Sequence, residues 1–189
     1  MTSPQSTEEP TARSGSAGST EPGTSAGTAP VAASVPVASS QAPGAIEERA
    51  LKLLRAAVSV EHAAIWAYGL ISAYSAKDAD LIRTNRNGHI FRRDAANDRI
   101  AAAGGEPVQP RAAYNLPVDV VDVESARQLA RIAESDCAKA WRAVVGGTDS
   151  PDLRTFALSG LSDSAVRLAM LRKLSKLTPF TTPFPGKTG

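Results

Sequence analysis

Between the glycine pair Gly104-Gly105 and Asp122 the chain carries Pro107, Pro110 and Pro117 and holds neither a helical nor an alternating period. Such a segment is too long for the turn between antiparallel helices, which takes about 2–8 residues. About twenty residues reach up to roughly 66 Å when extended, whereas a helix of about 25 residues is roughly 38 Å long. The segment can therefore return the chain to the starting end of the element before it. The next element then begins parallel to the last.

What flanks this crossover is helical. Upstream, Ile46, Ala50, Leu53, Leu54, Ala57, Val58, Ala64, Ile65, Tyr68 and Ile71 recur at three- and four-residue spacing, which predicts a helix of about 30 residues. Glu47 and Glu48 fall in its first turn, where the dipole favours negative charge. A second helix is predicted over Ala79–Ala103, with Ile82, His89, Ala96 and Ile100 on one face. Gly88 weakens it without breaking it. Downstream, Asp122 is placed to cap a third helix over Glu124–Val145, which Gly146-Gly147 ends. Ser150-Pro151-Asp152 then gives a cap, a proline at the first helical position and an acid for the dipole, starting a fourth helix that runs to about Leu177. Only Pro117–Val123 alternates like a strand, so the chain reads as an all-α four-helix bundle with one long crossover between the second and third helices.

Residues 1–44 contain no Leu, Ile, Phe, Tyr or Trp and so have almost nothing to bury against the entropy of ordering. They are expected to be a disordered low-complexity tail, with the helical domain over 45–178 and an extended C-terminal tail over 179–189. The tail's Glu8, Glu9 and Glu21 against Arg13 leave the remainder at only about +4, too weak a charge for a dedicated nucleic-acid binder. The single cysteine, Cys137, excludes an intramolecular disulfide and a cysteine zinc cage. Neither a signal peptide nor a membrane span is legible, so a cytoplasmic location is expected.

The apolar stripes become informative where a polar residue interrupts them. Glu61 sits between Ala57/Val58 and Ala64/Ile65 on the first helix, and Glu134 between Ala130 and Cys137 on the third. His89 lies on the row Ile82, His89, Ala96, and Asp163 on the row Phe156, Gly160, Asp163, Met170. Each helix thus aims one ligand-type side chain inward. Buried carboxylates are costly unless paired or bound to a cation. Glu61, His89, Glu134 and Asp163 can therefore be metal ligands, or the acids can be acceptors for Arg86, Arg92 or Arg93, since a guanidinium keeps its charge when buried. Cys137 reads as a small apolar filler, Trp66, Tyr68 and Trp141 as core, and His62 as lying at a helix seam. Arg83, Arg86, Arg92, Arg93 and Arg99 are interleaved with Asp94 and Asp98 and read as intramolecular ion pairs. Arg167 reads as a complement to the dipole near the end of the last helix.

The stretch Glu61-His62-Ala63-Ala64-Ile65-Trp66-Ala67-Tyr68-Gly69, with His89-x-x-Arg92-Arg93-Asp94, Tyr114-x-Leu116-Pro117 and Leu161-Ser162-Asp163-Ser164-Ala165-Val166-Arg167, resembles an actinobacterial ferritin-like domain of unknown function. The resemblance covers about residues 46–177 and implies a ferritin-like fold and self-association, with no established activity. Ferritin-like di-metal proteins take a Glu from each of two helices and a Glu-x-x-His from each of the others. Here Arg86 stands where the second helix would carry its glutamate, and Val166 where the fourth would carry its histidine. Two functions follow as expectations. The first is a non-enzymatic protein with a core closed by Arg–carboxylate pairs, needing no cofactor and acting as a homo-oligomer, a dimer in the simplest case, or through a protein partner. The second is an iron- or manganese-binding metalloprotein with an oxidative or storage role. Two histidines without a nucleophile elbow compose no hydrolytic triad.

Overall fold

The computed structural model describes residues 46–187, so the stretch read as a disordered tail lies outside the described residues. Four long helices carry the described chain: α1 (Glu48–Ser72), α2 (Ala79–Ala102), α3 (Val123–Gly147) and α4 (Pro151–Leu174), with a short 3-10 turn, Ala76–Asp78, before α2. No strand occurs among the described residues, and residues 117–123 run without one.

The caps follow the sequence signals on the downstream half. The Asp122 carboxylate accepts from the Ser125 N–H at 2.8 Å while the Ser125 hydroxyl accepts from the Asp122 N–H, a reciprocal capping box. Ser150 accepts from the Leu153 N–H ahead of Pro151. At α1 the outcome differs. Glu47 precedes the helix, and its carboxylate accepts from the Asp149 N–H at 3.2 Å and the Thr148 hydroxyl at 3.3 Å. That acid ties the start of α1 to the α3–α4 turn.

α1 packs on α2 and α3, and α3 packs on α4, whereas the backbones of α2 and α4 approach each other less closely. Long side chains bridge that seam. Arg92 of α2 bonds Asp163 of α4, Arg99 lies 3.9 Å over the Phe156 ring, and Arg167 crosses to Gly88, where any β-carbon would collide with its guanidinium. Gly160 plays the same part at α3–α4. A β-carbon there would sit 2.8 Å from the Trp141 indole, so the glycine lets that large ring pack against the helix backbone.

Two apolar clusters fill the bundle. One gathers Leu54, Val58, Ile100, Trp141, Val144 and Leu153, and the other Tyr68, Ile71, Ile82, Leu129 and Leu171. Where they meet, the core turns polar. After α4 the chain does not run extended as expected but makes turns and bends through residue 187. The Pro179 carbonyl accepts from Arg172, and Gly186 lies against the Ala138 carbonyl of α3. No described helix is long and apolar enough to cross a membrane.

Candidate functional site

Helix periodicity delivers three of the four expected ligand-type residues to one fully buried layer. Glu61 comes from α1, His89 from α2 and Glu134 from α3. His89 stands between the acids, its Nδ1 2.5 Å from Glu61 Oε2 and its Nε2 3.0 Å from Glu134 Oε1. With both carboxylates ionised and so able only to accept, both ring nitrogens donate, as an imidazolium does. Burial works against that charge, but the bonds and charges of Glu134 and Glu61 outweigh it and raise the His89 pKa. For Glu61 burial again opposes ionisation, and His89, Arg92 and Trp141 together outweigh it, leaving its pKa lowered.

A ring of donors completes the layer. The Trp141 indole N–H donates to Glu61 Oε1 at 2.6 Å, where Arg92 also approaches at 3.4 Å. The Tyr68 hydroxyl donates to Glu134 Oε1 at 2.6 Å and accepts from the Asn85 amide at 3.3 Å. Burial, then the Glu134 charge, pushes the Tyr68 pKa well up, so it stays a donor. The Cys137 Sγ lies 4.0 Å from His89 Nδ1, and burial followed by the charges of Glu61 and Glu134 raises its pKa well above the ordinary thiol value. It is a neutral filler there and poorly suited to nucleophilic work.

Asp163 is not part of this layer. Its side chain is 53% exposed and meets the interior only through Arg92, which is buried and bonds both Asp163 and Glu61. The other two arginines expected in the core lie elsewhere. Arg86 is half-buried beside Tyr68, Gly69 and Ser72 and makes no ion pair among the described residues, and Arg93 pairs with its neighbour Asp94 at the surface. The reason is angular. Relative to His89, Arg92 and Asn85 lie about 60° and 40° to one side around α2, whereas Arg86 and Arg93 lie about 60° and 40° to the other.

Sequence reading missed Tyr68, Asn85 and Trp141 as partners of the layer. Each carried a faint positional signal: Tyr68 is seven residues from Glu61, Asn85 four from His89, and Trp141 seven from Glu134. Trp66, read as core, is instead 37% exposed. His62 is buried and reaches the crossover, with Nε2 2.9 Å from the Val108 carbonyl that Asn97 of α2 also bonds.

A pair of iron or manganese ions, as ferritin-like di-metal proteins hold it, would need four carboxylates and two histidines. This layer offers two carboxylates and one histidine whose nitrogens are both engaged, with a guanidinium 3.4 Å from one acid. The residues do not fit a di-metal centre.

The fold and the buried layer define an all-helical bundle built around an acid–histidine–acid core. The chain belongs to the family described as a domain of unknown function, DUF4439, which it matches over residues 53–189. It is similar to the crystal structure of a conserved hypothetical protein, rv2844, from Mycobacterium tuberculosis, with 35% sequence identity and a TM-score of 0.66, over 68% of this chain and 98% of that one. No curated protein matches it.

Proposed function

We propose that this protein is a ferritin-like bundle without catalytic activity, in which imidazolium and guanidinium take the place of metal, and that it acts by associating with itself or with a protein partner. The observation that carries the first part is the crowding of Glu61. Both of its oxygens are occupied, one by His89 Nδ1 and the other by Trp141 and Arg92. Two buried acids face two buried cations, so the layer needs no further charge. Association is supported by apolar side chains left outside the core, Phe91 on α2 at 76% exposure and Val166 and Met170 on α4.

The alternative, an iron- or manganese-binding protein with an oxidative or storage role, has one observation in its favour. Ligand atoms of Glu61, His89 and Cys137 lie within 4.8 Å of one another, and Glu134 Oε2 is buried without a partner. Elemental analysis of purified protein, with thermal melts in the presence and absence of a chelator, separates the two. The internal-cation reading expects substoichiometric metal and an unchanged Tm. Stoichiometric metal whose removal lowers Tm would establish the metalloprotein.

A further inference from the structure

On the far side of α1 and α3 from the α2–α4 seam, the crossover leaves a groove of about 620 Å³, within the range of small-molecule sites. Its floor is made of small side chains, Ala63 and Ala67 from α1 and Ala133 and Ala140 from α3. Trp66 and Tyr114 form an aromatic corner with ring centroids 5.8 Å apart. Leu116 and Pro117 of the crossover close the other side.

The walls are held before anything enters. The Val108 backbone exchanges bonds with the Asn97 side chain, its carbonyl also meets His62, and the Arg111 N–H donates to the Tyr114 hydroxyl at 3.0 Å. The crossover is thereby clipped to α1 and α2.

Polar groups at the groove decide what fits. Lys139 and Asp136 neutralise each other at 2.9 Å, while Arg111 has no acidic partner among the described residues. The lining therefore offers one uncompensated positive charge beside an apolar slot.

We propose that this groove binds a small apolar monocarboxylate, its hydrocarbon part on the alanine floor against Trp66 and its carboxylate on Arg111. A guanidinium is suited to a carboxylate by geometry as well as charge. The proposal is independent of how the buried acid layer is neutralised.

Titration of the full chain with decanoate and 2-naphthoate, followed by calorimetry and tryptophan emission, tests it. Trp66 faces the groove and reports, whereas buried Trp141 is a spectator. At least one of the two carboxylates is expected to bind and shift the emission, and Trp66→Phe to abolish the shift. Decylamine should bind at least tenfold more weakly than decanoate. Arg111→Gln, an exposed loop change with no folding burden, should weaken carboxylate binding about tenfold, and Ala63→Leu should block it while leaving Tm within a few degrees. No heat and no emission change up to millimolar carboxylate overturns the proposal. So does binding that survives Ala63→Leu, or that is as tight for decylamine. An emission shift that tracks protein concentration alone would put a second copy in the groove and overturn it as well.

Discussion

Two acids sharing one histidine make the core sensitive to the loss of any single charge. Arg92→Ala removes the cation that Glu61 and Asp163 share and should cost about 3–5 kcal/mol in denaturant unfolding, the scale for a buried charge left without its partner. Arg86→Ala, at a half-buried site with no ion pair, should change stability by less than about 0.5 kcal/mol. Equal effects would contradict the assignment of Arg92. The pH dependence follows from two opposite shifts. The raised His89 pKa gives stability that is complete below the ordinary value of 6.5 and lost as pH climbs through the raised one. The lowered Glu61 pKa gives stability that is complete above 4.5 and lost as pH falls through the lowered one. The Tm advantage of the wild type over His89→Phe should therefore be largest between pH 4.5 and 6.5, and a maximum above pH 8 would contradict the imidazolium. Glu61, His89 and Glu134 were legible because each breaks an apolar stripe. Arg92 could not be told from Arg86 or Arg93 by composition, because only the true angle around α2 separates them.

The α3–α4 packing and the crossover each rest on a contact that a single small change would break. Gly160→Ala puts a methyl into the Trp141 ring and should cost about 1–3 kcal/mol, as overpacking does. A neutral effect would mean the α3–α4 spacing is set elsewhere. At the crossover, Asn97→Ala removes the acceptor of the Val108 N–H, and hydrogen exchange at that amide should speed at least tenfold. Unchanged protection would show that another group holds the segment. Helix ends were readable where chemistry marks them: Asp122, Ser150-Pro151 and the glycine pairs fall within a few residues of the observed limits. Trp66 was not, because α1 meets neighbours on two sides and its period alone cannot say which flank lies open. The C-terminal segment was misread for a related reason. Its prolines exclude helix but say nothing of the turns that return it to Ala138.

Across the whole molecule, the crossover and four helical periods were enough to give the bundle, since few topologies join long helices through one long and two short connections. Neither the polar ring around Glu61 nor the wider α2–α4 seam follows from periodicity, because both depend on how the helices are rotated and spaced. The exposed Phe91, Val166 and Met170 predict a dimer at micromolar concentration in sedimentation, and a strict monomer would remove that support for association. The central claim, that the protein supplies its own cations to the buried acids, is open to direct reading because the chain has only two histidines. Nitrogen-15 NMR of labelled histidine at neutral pH should show one ring, His89, protonated at both nitrogens and unaffected by chelator. A His89 ring with an unprotonated or metal-bound nitrogen would contradict it.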